Sequence, residues 1–168
     1  MKFAEEANSL VFDSGKTCHS TNHSALDIDP YGYDLVYLDP PYLRQDKDHE
    51  SSDYLRCYHF LEGLSKYQDW ENLIDFDSRN LRFKDNIFKN DFSTAAVYET
   101  YEKLITRYKN NIIVLSYKKG GIPSIEFLRK LVKKVKGNVR TVSMHYIYAL
   151  NHQNGNAKKN REFLIIGL

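Results

Sequence analysis

The sequence predicts an α/β fold in which a mostly parallel sheet ends in an antiparallel C-terminal hairpin, and three observations support this prediction. Leu35 to Leu38 form a short apolar run between polar residues, which is typical of a strand in the middle of a parallel sheet. Helical and strand patterns then alternate between residues 97 and 135. Finally, apolar segments at 139–150 and 162–168 flank a loop rich in Asn, Gly and Lys, as in a β-hairpin.

Two amphipathic helices are predicted, one before and one after a buried strand at 112–117 in the sequence. The first helix has Ser93 or Thr94 as its N-cap. The second opens at Pro123-Ser124 and stops at Gly137. Their apolar positions recur at the 3.6-residue period of a helix: Val97, Tyr101, Leu104, Ile105 and Tyr108 in the first, and Ile125, Leu128, Leu131, Val132 and Val135 in the second.

The remaining segments have weaker patterns. Residues 1–32 show no clear period, so we expect an irregular lead-in. The polar and charged residues at 43–52 predict a mobile loop after the first strand. Residues 54–67 have near-helical spacing, although Gly63 weakens the end of that helix. Residues 70–91 are expected to form a loop with short helical pieces.

The most specific pattern is Asp39-Pro40-Pro41-Tyr42, directly after the first strand. Each proline fixes φ at about −65° and lacks an N–H, so the backbone is stiff. A residue before proline is kept extended, so Asp39 should project beyond the carboxyl end of the strand, where ligands bind in α/β sheets. A carboxylate, a free carbonyl and an aromatic ring at this position suit a planar aromatic amine. As an alternative, the four residues could form a simple turn.

Together with its preceding strand, this motif resembles the catalytic signature of amino-group methyltransferases that use S-adenosylmethionine. Segments 58–64, 111–117 and 159–166 follow in the order and spacing of later segments of the Dam-like DNA adenine methyltransferases. The resemblance runs from about Tyr33 to the C-terminus. It implies a partial Rossmann-like methyltransferase sheet, with the catalytic-motif half at 33–168 and the remnant of a target-recognition segment at 1–32.

The resemblance also implies roles for individual residues in methylating the exocyclic N6 amine of an adenine flipped out of the duplex. The catalytic residues would be Asp39, Pro40, Pro41 and Tyr42, with Asp39 and the Pro40 carbonyl accepting hydrogen bonds from the amine and Tyr42 stacking on the base. The cofactor-binding residues would be Asp39, Tyr58 and Phe60, with Phe60 against the adenine ring of S-adenosylmethionine. For Tyr58 and Phe60, a place in the core of a helix is the alternative.

Charge is distributed unevenly, although the net charge is only +2. Between residues 101 and 168 there are 14 Lys and Arg against 3 Asp and Glu, whereas residues 31–100 hold 8 against 14. This asymmetry predicts a surface that faces DNA, with a solvated basic helix face as the alternative. Candidate nucleic-acid-binding residues follow the strand at 112–117 or lie in the hairpin loop, which could instead be an ordinary solvated loop: Lys118, Lys119, Asn154, Lys158, Lys159 and Arg161.

One element of the resembled family is absent from these 168 residues. Its glycine-rich F-x-G-x-G turn holds the cofactor upstream of the catalytic motif, but the eight glycines here include no G-x-G spacing. We therefore expect the catalytic-motif subunit or fragment of a DNA methyltransferase, completed by a second chain that carries this turn or by self-association. The alternatives are an inactive remnant that binds only nucleic acid or a partner and, less favoured, an RNA base methyltransferase.

The composition argues against a membrane protein and against a metal-binding protein. No stretch reaches the ~20 apolar residues of a membrane span, and the N-terminus is too polar for a signal peptide. We therefore expect a cytoplasmic protein without membrane contact. Cys18, His19 and His23 come nearest to a metal-binding pattern but match no zinc spacing, so we predict no metal.

Overall fold

A computed structural model describes residues 2–44, 47–50, 58–79, 81–84, 96–145 and 161–168. The helices in these ranges are α1 (Lys2–Ser9), α2 (His59–Ser65), α3 (Trp70–Leu73), α4 (Val97–Arg107) and α5 (Ile125–Lys136). The strands are β1 (Leu35–Leu38), β2 (Leu43–Arg44), β3 (Lys47–Glu50), β4 (Ile112–Lys118), β5 (Gly121–Ile122), β6 (Val139–His145) and β7 (Arg161–Gly167). The predicted α/β class is confirmed. No described helix is both long enough and apolar enough to cross a membrane.

The central sheet has the strand order β1-β4-β7-β6. β1 is parallel to β4, and β7 is antiparallel to both β4 and β6. The hairpin strands are therefore neighbours as predicted, but the sheet is mixed rather than mostly parallel. β1 also lies at the edge of the described sheet, which corrects its predicted place in the middle. An unbroken apolar run shows that a strand is hydrophobic, but the run cannot show how many neighbours the strand has.

Helices α4 and α5 cover one face of this sheet. All five apolar positions predicted for the first helix are buried, four of them in α4 and Tyr108 directly after it, and α5 buries Leu128, Leu131 and Val132. At the start of α5 the Ser124 hydroxyl accepts a hydrogen bond from the Phe127 N–H at 3.2 Å, as expected of an N-cap. Gly137 ends the helix with φ of 73°, a conformation that favours glycine. The predicted Ser93 or Thr94 cap of α4 lies outside the described residues.

Gly167 allows β7 to pack closely against α5. A Cβ at this position would lie 2.6 Å from Val132 Cγ1 and 2.7 Å from Lys136 Cγ. We expect Gly167→Ala to lower the free energy of unfolding by about 1–3 kcal/mol, because the helix would have to move off the sheet. Urea unfolding followed by circular dichroism measures this. Leu168→Ala, at the neighbouring exposed position, should change it by less than about 0.5 kcal/mol; an equal effect of the two changes would contradict the prediction.

A second, smaller sheet has the order β3-β2-β5 and corrects the predicted mobile loop at residues 43–44 and 47–50. The rest of that predicted loop lies outside the described residues. β2 pairs antiparallel with both neighbours, and Leu43 lies opposite Ile122. Leu43 is only 1% exposed and belongs to the hydrophobic core. A single buried leucine in a charged segment produces no periodic signal, which is why the sequence predicted a loop.

The lead-in at 1–32 is more ordered than predicted. It begins with helix α1, and its later part is held to the end of α4 by side-chain hydrogen bonds. The Tyr108 hydroxyl donates to the Ala25 carbonyl at 2.7 Å, and Arg107 Nε donates to the Ile28 carbonyl at 2.7 Å. These bonds depend on residues that are about 80 positions apart, so local periodicity does not reveal them.

Helices α2 and α3 occupy part of the predicted helix at 54–67 and of the predicted loop at 70–91. Residues 54–57 of the predicted helix lie outside the described residues. Gly63 is buried within α2, where a Cβ would overlap the ring of Trp70. The glycine therefore allows α2 and α3 to pack closely together, whereas the sequence suggested that it weakens the end of a helix.

Candidate active site

The Asp39–Tyr42 motif lies at the carboxyl end of β1, as the sequence predicted. Pro40 is buried, whereas Asp39 is exposed to solvent. The stiff proline pair therefore anchors the backbone while the carboxylate projects outward. This arrangement leaves the carboxylate accessible to a ligand at the end of a parallel strand.

A chain of hydrogen bonds connects this motif to the neighbouring strand. The Tyr42 hydroxyl donates to Asp39 Oδ1 at 2.8 Å, and its oxygen lies 3.2 Å from the Ser116 hydroxyl. Since the one hydroxyl hydrogen of Tyr42 is directed at Asp39, Ser116 must be the donor in the second bond. Ser116 is only 6% exposed on β4, so it holds the phenol from a rigid position.

Tyr117 fixes the ring of Tyr42 from the side. The two rings meet edge to face, with centroids 5.6 Å apart and an interplanar angle of 90°. Tyr117 is fully buried and donates a hydrogen bond to the Pro123 carbonyl at 2.8 Å. The sequence indicated a strand ending in Ser116-Tyr117, but not that these two side chains support the motif. The register between β1 and β4 brings them there, and no local pattern carries that information.

The phenols of this cluster stay protonated at neutral pH. Burial raises the pKa of Tyr42 well above the ordinary value for tyrosine, and the adjacent Asp39 raises it further, while the Ser116 hydrogen bond opposes these effects. Burial likewise raises the pKa of Tyr101 and of Tyr117. Asp39 therefore faces a neutral hydrogen-bond donor, and Tyr42 does not compete with it as a second anion.

These raised pKa values predict a loss of stability in alkali. A phenol that binds its proton more tightly in the folded chain stabilises folding below about pH 10, where tyrosine in the unfolded chain ionises. Above that pH, the unfolded chain releases phenol protons that the folded chain keeps. Tyr101 and Tyr117 should therefore each lower the free energy of unfolding by about 1.4 kcal/mol per pH unit. Urea unfolding between pH 8 and pH 11 measures the slope, and Tyr101→Phe should make it shallower. A flat profile in the parent chain would contradict the prediction.

Three of the predicted nucleic-acid contacts lie together at the end of β4 and the start of β7. Lys118 Nζ is 5.8 Å from the centre of the Tyr42 ring. The Lys119 N–H donates to the Arg161 carbonyl at 2.9 Å. Arg161 Nη2 also donates to His145 Nε2 at 3.2 Å, which adds a residue that the sequence did not single out. Asn154, Lys158 and Lys159 lie outside the described residues.

Tyr58 and Phe60 are not core residues. They are 50% and 56% exposed, and Phe60 packs edge-on against Trp70 at 5.6 Å. The structure thus rules out the helix-core alternative and leaves both rings accessible. Their predicted contact with a cofactor stays a prediction. Across the described ranges, no group of three His, Cys, Asp or Glu side chains is arranged to hold a metal ion.

A carboxylate beside a tyrosine ring at the end of a parallel strand is the arrangement that suggested a DNA methyltransferase. The chain is 28% identical over 167 residues to the Modification methylase StsI of Streptococcus sanguinis, and the match covers 90% of this chain and 22% of the methylase. The chain is thus related to a modification methylase, as the sequence motif predicted, and spans about a fifth of its length. No protein-family model matches the chain, and no solved structure is recognisably similar.

Proposed function

We propose that the chain forms the catalytic-motif part of a DNA methyltransferase that transfers the methyl group of S-adenosylmethionine to adenine N6. The Asp39–Tyr42–Ser116 hydrogen-bond chain is the observation that carries this proposal. It holds a carboxylate acceptor and an aromatic ring rigidly beside each other at an exposed strand end. The relationship to a modification methylase supports the reaction class.

We assign separate roles to the oxygens of Asp39. Oδ1 accepts the Tyr42 hydroxyl, so Oδ2 and the Pro40 carbonyl are the acceptors for the two hydrogens of the adenine amine. Holding both hydrogens fixes the direction of the nitrogen lone pair, and such positioning supplies much of the rate of a two-substrate reaction. Asp39 need not remove a proton before transfer, since the methylated amine can lose one afterwards.

Tyr42 would hold the base outside the duplex. Stacking on an aromatic ring contributes about 1–3 kcal/mol per base, which offsets part of the cost of unstacking the base. Lys118 lies over this ring, and a stacked base would take its place while the ammonium moves to a phosphate. Lys119 and Arg161, both exposed, lie at the same end of the sheet and would contact the DNA backbone.

The residues present fit only part of a site for S-adenosylmethionine, which when bound would supply an electrophilic methyl group. The exposed rings of Tyr58 and Phe60 suit contacts with a planar adenine. A glycine-rich turn, which allows the backbone to approach such a cofactor closely, is not found in the 168 residues. Further residues from another polypeptide segment are therefore needed to hold the methyl donor.

This missing turn favours one second candidate function, a module that binds nucleic acid or a partner without catalysis. Methylation of a DNA duplex, measured by mass spectrometry of its nucleosides, separates the two candidates. We expect no transfer by the chain alone and N6-methyladenine when a polypeptide carrying the glycine-rich turn is added. Calorimetry with S-adenosylmethionine should show the same dependence. Absence of cofactor binding and transfer in both conditions would favour the second candidate, and methylation of cytosine would contradict the adenine assignment.

A further inference from the structure

The two faces of the central sheet differ sharply in burial. On the face covered by α4 and α5, most apolar side chains of β1, β4 and β7 are buried, and Leu38, Ile113 and Ile165 are at most 7% exposed. The pairing register places the alternate residues of the same strands on the opposite face. There five apolar side chains of β1, β4 and β6 are between 37% and 60% exposed, while Val114, Leu164 and Ile166 are half-buried. We call this opposite surface the open face, and its exposed apolar members are Leu35, Tyr37, Ile112, Val142 and Met144.

The open face is shaped to receive apolar side chains. It contains a cavity of about 230 Å³ whose walls include Tyr37, Val142, Met144 and Leu164. Ser116, which holds Tyr42 in the candidate active site, also lines this cavity. An exposed apolar surface of this kind is typical of an interaction site, and here it lies directly behind the site's supporting hydroxyl.

Among the described strands, none pairs with the outer edge of β1, which adjoins the open face. Within the described part of the chain, β4 is the only strand that pairs with β1. The other edge of the sheet, β6, carries Arg140, Thr141, Ser143 and His145, and charged or polar residues of this kind discourage further pairing. Leu35 to Leu38 contain no such residue. β1 is therefore the edge suited to an additional strand.

We propose that the open face and the outer edge of β1 together dock a strand–helix segment of a second polypeptide. The strand would lie parallel to β1, and the helix would lay an apolar stripe across the open face, since parallel strands are normally covered on both faces. This inference rests on the proposed function and identifies the surface that receives the missing part of the enzyme. The related methylase has the necessary additional chain, because only 22% of it corresponds to these residues.

A second copy of this chain would fit the surface less well. Packing two open faces together would leave the β1 edges unpaired, and joining two β1 edges would leave the open faces exposed. A strand followed by a helix covers both surfaces at once. Because carboxyl ends of parallel strands meet at one edge of a sheet, the turn after the added strand would lie beside Asp39. Docking would thus complete the candidate active site.

Binding to a defined probe tests this surface without measuring methyl transfer. The probe is the Streptococcus sanguinis methylase from which the segment that matches this chain has been deleted. The deleted segment, produced separately, serves as the reference partner. Sedimentation velocity should show a 1:1 complex between the probe and this chain. Tyr37→Glu should weaken the complex at least tenfold by adding a second carboxylate to a mainly apolar cavity that Glu162 already lines. Tyr31→Glu, at a turn position that is 90% exposed, should not weaken it. Circular dichroism checks that both variants fold.

Three outcomes would overturn the inference. The first is no complex with this chain, whether or not the reference segment binds the probe. The second is equal binding by Tyr37→Glu and the parent chain. The third is a dimer of this chain that Tyr37→Glu dissociates, which would show that a second copy occupies the open face. A stable complex that transfers no methyl group would instead contradict the proposed function and leave the docking surface in place.

Discussion

Replacing Asp39 by alanine is expected to reduce methyl transfer by about 10²–10³-fold, the usual effect of removing one group that positions charge in a transition state. Asp39 is exposed, and among the described residues it is Tyr42 that donates a hydrogen bond to its carboxylate. The fold should therefore be little affected, because the buried Pro40 and Leu38 keep the backbone in place. Single-turnover methylation of duplex DNA by the assembled enzyme measures the rate.

Asp34→Ala provides a matched control, because Asp34 is an exposed aspartate at the opposite end of β1. Its side chain is removed without touching the motif, so transfer should stay within twofold, by the small effect expected of surface changes. Asp39→Asn keeps the shape of the side chain but replaces one acceptor oxygen with a donor, and it should be almost as damaging as alanine. Full activity in Asp39→Ala would refute the role assigned to the carboxylate.

Replacing Tyr42 by alanine is expected to have the second largest effect. The loss of base stacking costs about 1–3 kcal/mol, or about 5- to 150-fold in the rate of transfer. Tyr42→Phe keeps the ring and its edge-to-face contact with Tyr117, so most of the stacking should survive. It removes only the hydroxyl that joins Ser116 to Asp39. Fluorescence of 2-aminopurine at the target position reports whether the base leaves the stack.

Ser116 provides an internal check on this interpretation. Ser116→Ala breaks the same hydrogen-bond chain as Tyr42→Phe, so the two changes together should cost no more than the larger one alone. Ser116→Thr retains the hydroxyl and should restore the rate. If Ser116→Ala and Tyr42→Phe had fully additive effects, the two hydroxyls would act independently and the proposed chain would be wrong.

Local features of the sequence were enough to predict the helices that cover the sheet. The apolar face of α4 and the serine cap and glycine stop of α5 involve residues only a few positions apart, so one-dimensional periodicity records them. The Asp39–Tyr42 motif was predictable for the same reason, because prolines restrict their own neighbours. Its position at a strand end followed from the four apolar residues before it.

Pairings between distant segments were not predictable in this way. The short strand β2 exists because Leu43 packs into the core opposite Ile122, far along the chain. The hydrogen bond between Tyr42 and Ser116 joins residues 74 positions apart. Neither contact produces a repeating pattern, since each involves a single residue from each segment. The sequence therefore identified the motif but missed the side chains that support it.

The sequence by itself determined the α/β class, the two core helices and the chemistry at the end of β1, since each depends on the character and spacing of nearby residues. Only the tertiary structure decided that β1 is an edge strand of the described sheet, that Ser116 and Tyr117 hold Tyr42, and that the open face is exposed. These properties depend on strand order and register, which arise when distant segments pack together. A hydrophobic strand can have the same sequence at the centre or at the edge of a sheet. Its neighbours in space determine which of these positions it occupies.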